Sequence, residues 1–238
     1  MILIYPEKLS SVTADTEDTE YLASNLENTK IRQVWKSTGS NVGTLTATVA
    51  AGANQLALYG TNAVTAAVTV KIGAVTQETQ SFSLTSGSRT FSRFWCSYTA
   101  INEVHTISIV LTAAVGSVIE AGAIKIGVGI ESNNPEYGLS EGRKDFSIIK
   151  ELNNGAFYIR RRIPVRTFTV TFLATRGSEF YTFTDAYDTI GPQAMAWLLA
   201  EDINDYQWAV LGHMIDPFKG SHAYYSHSKV SFSITEAV

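Results

Sequence analysis

Apolar and small polar residues alternate along most of this chain. In six segments, apolar residues occupy every second position and threonine, serine, lysine or glycine fill most of the positions between them; these are Leu45–Val49, Val68–Ile72, Ile107–Leu111, Ile124–Ile130, Phe168–Phe172 and Val230–Ile234. Successive side chains of a strand point to opposite faces of a sheet, so a period of two predicts half-buried antiparallel strands. Threonine and valine also favour strands.

Turn-forming residues separate the predicted strands. Groups rich in glycine, asparagine and serine stand at Gly52–Asn54, Gly60–Asn62, Ser86–Ser88 and Asn153–Gly155. Many short strands with frequent turns are typical of a β-sandwich or barrel. The last group also predicts a hairpin whose strands lie in Phe146–Leu152 and Ala156–Arg162.

The composition changes near Glu131–Gly142, a polar segment that contains an Asn-Asn-Pro sequence and two glycines. Small residues dominate before this segment, and aromatic and charged residues are frequent after it. Such a change at a polar, turn-rich segment is typical of a domain boundary. We predict a first domain over residues 1–133 and a second, β-rich domain over residues 143–238.

One short helix is predicted in the second domain, near residues 192–202. Gly191-Pro192 resembles a helix start, because proline is favoured in the first turn. Met195, Leu198 and Leu199 then follow at the i, i+3, i+4 spacing of an amphipathic stripe.

The chain carries little charge. Charged residues make up 17% of its 238 residues, against about 25% in an average domain, and the formal net charge is −4. This balance does not favour nucleic acid as a partner. Between Val42 and Ser88 only Lys71 and Glu78 are charged. Either this sheet face is rich in threonine and serine and faces water, or a neighbouring subunit covers it.

Redox and targeting signals are sparse. Cys96 is the sole cysteine, so no disulfide forms within the chain, and its apolar neighbours predict a buried, inert thiol. The first residues lack the basic region of a signal peptide, and no stretch reaches the roughly 20 apolar residues of a membrane span. We therefore expect no signal peptide and no membrane insertion.

Motifs for catalysis or metal binding are not found. His213, His222 and His227 lack a ligand spacing and are interpreted as exposed loop residues, and the acidic residues of 15–20 as a solvated segment. No Gly-x-Ser-x-Gly elbow, phosphate-binding loop or dinucleotide fingerprint occurs. We expect no enzyme activity, no cofactor and no metal.

Two sets of residues remain as candidates for binding. Aromatic and amide side chains bind sugars in many β-sandwiches, and the candidates for such a site are Trp35, Trp95, Tyr98 and Asn102. Aromatic residues of a sandwich also form its core, which is the alternative interpretation. The basic residues Arg160, Arg161, Arg162 and Arg166 are expected to form salt bridges with acidic residues of the same or a neighbouring subunit.

Several short segments resemble one family. They are Asn25-Leu26, Val34–Ser37, Leu56–Asn62, Ile124–Gly127, Phe168–Phe172 and the closing Ser233–Glu236. Together they resemble tail-tip and baseplate proteins of tailed bacteriophages that begin with a discoidin-like, galactose-binding-like domain. The resemblance implies an all-β protein: a galactose-binding-like β-sandwich (jelly roll) followed by a smaller β-rich domain with one short helix.

The resemblance also implies a function. It predicts a structural component of a phage tail or baseplate, made in the host cytoplasm and located in the virion. Its expected partners are other tail or baseplate proteins, further copies of the chain in a homo-oligomer, and a host-surface glycan. The alternative is a carbohydrate-binding module or lectin that acts free, and a glycan-degrading enzyme is a third possibility.

Overall fold

A computed structural model of the protein describes residues 1–86, 88–132, 139–151, 156–175, 178–200, 206–215, 219–222 and 226–237. The chain forms two compact units, Met1–Asn134 with Met195–Leu211, and Pro135–Ala194 with Gly212–Val238.

The elements follow in chain order. The strands up to the helix are β1 (Ile2–Glu7), β2 (Leu9–Ala14), β3 (Trp35–Lys36), β4 (Val42–Val49), β5 (Gln55–Tyr59), β6 (Ala63–Ile72), β7 (Val75–Ser83), β8 (Thr85–Ser86), β9 (Arg89–Thr90), β10 (Arg93–Ser97), β11 (His105–Ala113), β12 (Glu120–Ala121), β13 (Ala123–Glu131), β14 (Ser140–Lys144), β15 (Ile148–Glu151), β16 (Phe157–Arg160) and β17 (Val165–Thr175). Helix α1 (Glu179–Ile190) precedes β18 (Met195–Leu198), β19 (Ala209–Met214), β20 (Lys219–Ser221) and β21 (His227–Glu236). Two short 3-10 helices span Ala23–Glu27 and Tyr206–Trp208.

The first unit is a two-layer β-sandwich. One layer has the strand order β10-β5-β13-β1-β18, and the other has the order β2-β4-β11-β6-β7. Each pair of neighbours in these two orders is antiparallel. One cluster of buried apolar residues draws side chains from both layers, including Leu58 and Ile124 from the first and Leu45 and Ile109 from the second. This shared core holds the two sheets together.

Strand β11 shows how the period of two produces this core. His105, Ile107, Ile109, Leu111 and Ala113 are buried, and the residues between them are half-buried. The predicted alternating segments all coincide with strands, namely β4, β6, β11, β13, β17 and β21. The sequence pattern therefore predicted these six strands correctly.

The outward face of the second layer is rich in hydroxyl groups. By the strand register, Thr46 of β4 lies opposite Ser108 of β11, and Ser108 lies opposite Thr69 of β6. Lys71 is a basic residue on this face, opposite Thr106. The low charge of residues 42–88 thus reflects a threonine- and serine-rich outer face together with an uncharged core strand, β5.

The second unit contains a sheet in the order β21-β17-β14, and β20 and residues 212–214 of β19 also pair with β21. Helix α1 packs on this sheet through Phe183, whose ring centroid lies 5.2 Å from that of Phe172. Phe172 also contacts Phe232, at 6.2 Å. These aromatic contacts form the core of the unit.

The helix predicted at residues 192–202 is wrong in position. The structure has its helix at Glu179–Ile190, and Met195–Leu198 is the buried strand β18. Gly191 ends the helix with a positive φ of 61° and donates its N–H to the carbonyl of Tyr187. Glycine followed by proline is also a helix stop signal, and a short apolar run does not distinguish a helix from a buried strand.

The predicted hairpin is present. Strands β15 and β16 pair antiparallel, with Ile148 opposite Arg160 and Glu151 opposite Phe157. Its turn, residues 153–155, lies outside the described residues.

The predicted all-β fold class is confirmed, as a β-sandwich and a smaller β-rich unit with one α-helix in the described part of the chain. The division into domains 1–133 and 143–238 stays a prediction. The structure adds that β18, far along the chain, pairs with β1 of the first unit.

Candidate functional site

Two of the predicted sugar-binding residues are core residues in the structure. Trp35 and Trp95 are each 0% exposed. The indole nitrogen of Trp35 donates to the carbonyl of Thr16 at 3.1 Å, and that of Trp95 donates to Oε1 of Gln55 at 2.8 Å. Neither ring has a free face on which a sugar could stack, so both tryptophans act as packing residues.

Tyr98 is also buried, and it pairs with His105. Its hydroxyl lies 3.3 Å from Nε2 of His105, and Nδ1 of His105 lies 3.0 Å from the carbonyl oxygen of Glu103. A carbonyl only accepts, so Nδ1 of His105 carries a proton and donates it to Glu103, while Nε2 forms a hydrogen bond with the Tyr98 hydroxyl. Burial raises the pKa of the Tyr98 phenol, which keeps this hydroxyl protonated.

A pocket of about 370 Å³ opens in the first unit beside this pair. Its wall combines residues of β6, the start of β7 and the connection between β10 and β11: Val70, Ile72, Gln77, Glu78, Thr99, Ala100, Ile101, Asn102 and Glu103. Asn102 is the member of the predicted sugar-binding set that lines this pocket. One of the four predicted sugar-binding residues thus lines the pocket, and the other eight lining residues were not among the sequence candidates.

Glu78 is held in place at the pocket wall. Its Oε2 accepts the backbone N–H of Thr99 at 3.1 Å, and its Oε1 accepts a hydrogen bond from Nε2 of Gln80. The same Gln80 nitrogen donates to the carbonyl of Ser97 at 2.7 Å. Because each carboxylate oxygen has two lone pairs, Glu78 keeps acceptor capacity for a ligand.

The loop that carries Asn102 and Glu103 is also fixed. Gly52 donates its N–H to the carbonyl of Ile101 at 2.7 Å, and Tyr98 donates its N–H to the carbonyl of Asn54 at 3.0 Å. The loop thus has its start tied by Tyr98, its centre by Ile101 and its end by His105. A pocket wall of this kind is arranged before any ligand arrives, which lowers the entropy cost of binding.

The chemistry of the pocket suits a polar, hydroxyl-rich ligand. Val70, Ile72 and Ile101 supply apolar surface, whereas Glu78 and Glu103 supply carboxylates and Gln77 and Asn102 supply amides. No basic side chain is among these residues, so the pocket has a negative charge.

One of the four predicted arginines, Arg166, forms a salt bridge within the chain. Nε and Nη2 of Arg166 contact the two carboxylate oxygens of Glu236 at 2.9 and 3.0 Å. Arg160, Arg161 and Arg162 are exposed. Hydrogen bonds from Ser147, followed by the charge of Arg161, lower the pKa of Asp145.

The other sequence features have structural roles. Asp15 accepts the N–H of Thr44 at 2.9 Å, and Glu17 accepts that of Ala23 at 2.8 Å, so these carboxylates cap loop backbone. Two of the histidines predicted in exposed loops are half-buried and lie in strands, His213 at the end of the buried strand β19 and His227 at the start of the alternating strand β21. Within the described ranges, no group of three or more histidine, cysteine, aspartate or glutamate side chains is placed to bind a metal.

No described helix is long and apolar enough to cross a bilayer.

No motif or spacing in the sequence indicates that most of the pocket residues line one pocket. Glu78 and Thr99 are 21 positions apart in sequence, and they are in contact because the fold places strand β7 next to the connection between β10 and β11. A usable clue was that Glu78 is one of only two charged residues between positions 42 and 88.

No family model and no curated protein matches this sequence. Among solved structures, the family 32 carbohydrate-binding module of Clostridium perfringens NanJ, in complex with galactose, is 13% identical and has a TM-score of 0.41; the match covers 53% of this chain and 98% of that module. Chitosan-binding module 1 of a Paenibacillus chitosanase/glucanase is 13% identical, with 50% and 94% covered and a TM-score of 0.40.

A different kind of protein gives a similar score. XRCC1, solved with the catalytic domain of DNA polymerase β, is 14% identical, with 51% and 97% covered and a TM-score of 0.41. The carbohydrate-binding modules among these neighbours have the galactose-binding-like, discoidin-like fold. At 13–14% identity and TM-scores near 0.4, these similarities do not identify a ligand or a function for this chain.

Proposed function

We propose that this chain is a non-catalytic carbohydrate-binding module, and that its sugar site is the pocket lined by Val70, Ile72, Gln77, Glu78 and residues 99–103. The observation that carries the proposal is the composition of this pocket, whose lining combines two carboxylates, two amides and three branched aliphatic side chains. Sugars present hydroxyl groups at their edges and C–H groups on their faces, and such a wall fits both. The solved structures with a similar fold include a module in complex with galactose and a chitosan-binding module.

The expected affinity is weak. The lining residues include no aromatic side chain, so hydrogen bonds and contacts with the aliphatic side chains must supply the binding energy. A single hexose has 12 non-hydrogen atoms, and about 0.3 kcal/mol per atom gives roughly 4 kcal/mol, or a Kd of about 1 mM. Higher affinity requires a glycan with several copies of the sugar that engage several copies of the protein.

Charge gives the pocket a preference. Glu78 and Glu103 repel a carboxylate and attract an ammonium group, so neutral and amino sugars are favoured over uronic acids. Galactose, glucosamine and glucuronic acid therefore form an informative set of ligands.

We expect Asn102→Ala and Glu103→Ala to weaken binding of the preferred sugar by about five- to tenfold each, because each removes a hydrogen bond worth about 1 kcal/mol. Backbone amide chemical shifts during sugar titrations measure the affinity and locate the site. Thr46→Ala, on the outer face of β4, and Trp95→Phe, in the core, are the controls that keep wild-type affinity.

Three results would contradict the proposal. They are shift changes confined to residues outside the pocket, binding of glucuronic acid in preference to both other sugars, and no shift change with any of them.

The more specific hypothesis drawn from the sequence resemblance is a structural role in a phage tail or baseplate, with a location in the virion. It stays a prediction. Its partners, other tail proteins and a host-surface glycan, stay predictions as well. Mass-spectrometric detection of this chain in purified virions is the test, and virions without it would exclude this role.

A further inference from the structure

The hairpin of β15 and β16 is an isolated two-stranded ribbon in the second unit. Its two strands pair with each other and belong to no larger sheet among the described strands. All of their residues are exposed except Ile148, which is half-buried. A ribbon of two strands is marginally stable in water, and a further layer or strand normally covers it.

The ribbon has one apolar face. Ile149 lies directly opposite Ile159, and Phe157 lies opposite Glu151 on the same side of the ribbon. The exposed fractions of Ile149, Ile159 and Phe157 are 66, 54 and 64%. Lys150 and Arg160 lie on the other face, opposite Tyr158 and Ile148. Adjacent exposed apolar side chains of this kind are a feature of interaction surfaces.

The ribbon and its flanks carry a charge opposite to that of the chain. Residues 143–163 contain six basic and two acidic residues, a net charge of +4. Since the whole chain has a net charge of −4, the remaining residues carry −8. The most compact acidic segment is 15–20, where Asp15, Glu17, Asp18 and Glu20 are exposed or half-buried.

We propose that this ribbon is a self-association surface, which docks on the acidic segment 15–20 of a second copy of the chain. The apolar face of Ile149, Phe157 and Ile159 becomes covered, and Arg161 and Arg162, which are exposed and directly follow β16, pair with the carboxylates of the neighbour. Two ribbons do not dock on each other, because like charges repel. An anionic lipid surface attracts the ribbon but repels the rest of the chain, which carries −8, so a second copy is the better partner.

The apolar part of the surface is tested with serine substitutions. We expect Ile149→Ser/Ile159→Ser to raise the dissociation constant of the oligomer at least tenfold, measured by light scattering over a concentration series up to about 100 µM. Val75→Ser/Val104→Ser is the matched control, because both valines are exposed apolar residues of the first unit and it should leave association unchanged.

The charge pairing is tested by a mixing experiment. Arg160→Glu/Arg161→Glu/Arg162→Glu changes the net charge of residues 143–163 from +4 to −2, and Asp18→Lys/Thr19→Lys/Glu20→Lys changes that of the acidic segment from −4 to +1. Each variant alone is expected to be monomeric, and an equal mixture should form a complex, because the reversed ribbon matches the reversed segment. Circular dichroism of each variant verifies that it is folded.

The proposal is overturned if the wild-type chain is monomeric over the whole concentration series. It is also overturned if the ribbon variants associate like wild type, or if the mixture stays monomeric. Binding of the monomeric wild type to vesicles with anionic lipid, lost in the ribbon variants, would assign the ribbon to a lipid surface instead.

Discussion

At the scale of single residues, burial separates the aromatic side chains that pack from the polar ones that can bind. Trp35 and Trp95 satisfy their indole N–H groups inside the first unit, with Thr16 and Gln55 as acceptors. Asn102 lies at an exposed loop and lines the pocket. Tryptophan is equally suited to a core and to a sugar platform, so residue type alone could not decide between them.

Cys96 provides a prediction at this scale. Burial, and after it the negative charge of Glu78, raises the pKa of its thiol from 9.0 to about 12. The folded protein should therefore resist alkylation by iodoacetamide near pH 8, whereas the protein unfolded in guanidinium should react at the rate of a free thiol. Mass spectrometry measures the modified fraction, and full modification of the folded protein would contradict the prediction.

The same shift has a consequence for stability. The thiol ionises near pH 9 in the unfolded chain and near pH 12 in the folded one, so the unfolded state binds fewer protons between these values. The contribution of Cys96 to stability is complete below pH 9 and is lost as the pH rises through this window.

At the scale of elements, side-chain pairs tie neighbouring strands. Arg166 of β17 and Glu236 of β21 form a two-pronged salt bridge, and their side chains are only 17 and 14% exposed. Lys36 of β3 and Glu120 of β12 form a looser pair at 3.4 Å, with 34 and 38% exposure. The two bridges differ in solvent access, in geometry and in the cation, which is arginine in the first and lysine in the second.

We expect Glu236→Gln to lower the free energy of unfolding by about 1–3 kcal/mol, because Arg166 loses a charge-assisted partner in a partly buried place. Glu120→Gln should cost about 0–1 kcal/mol, as exposed pairs do. Urea denaturation measures both, and Arg166→Met completes a double-mutant cycle for the first pair. Equal costs for the two glutamate substitutions would contradict the expectation.

At the scale of the whole molecule, chain order and spatial grouping differ. Residues 195–211 belong to the first unit although most of the second unit precedes them in the chain. The pairing of Ile2 with Leu198 and of Leu3 with Trp197 makes β18 part of the first sandwich. The change of composition near residues 131–142 gives no sign of this return of the chain.

Ala196→Asp tests this grouping in the intact chain. Ala196 is buried in β18, so the substitution places an unpaired charge in the first unit and should cost about 3–5 kcal/mol. Hydrogen exchange should quicken in β1 and β13, whereas β17 and β21 should exchange as in wild type. Faster exchange confined to β17 and β21 would contradict the grouping.

Local patterns predicted well wherever a strand has one buried face. The six alternating segments became strands, and the hairpin at 148–160 pairs as expected, because a period of two suits only one kind of element. The apolar run Met195–Leu199 has no such period, and Phe180, Tyr181 and Thr184 of α1 are weak helix formers. Because of both features, the local sequence pattern predicts the helix too late in the chain.

The amino-acid sequence by itself determined the all-β character, most of the long strands and the lack of charge on one sheet, since each of these follows from neighbours along the chain. Only the tertiary structure decided which aromatic residues are buried, that β18 joins β1, and that Glu78 meets the loop of Thr99–Glu103 to form a pocket. The physical reason is distance along the chain. Contacts between residues far apart in sequence depend on how sheets stack and on how strands are ordered, and no local pattern encodes that arrangement.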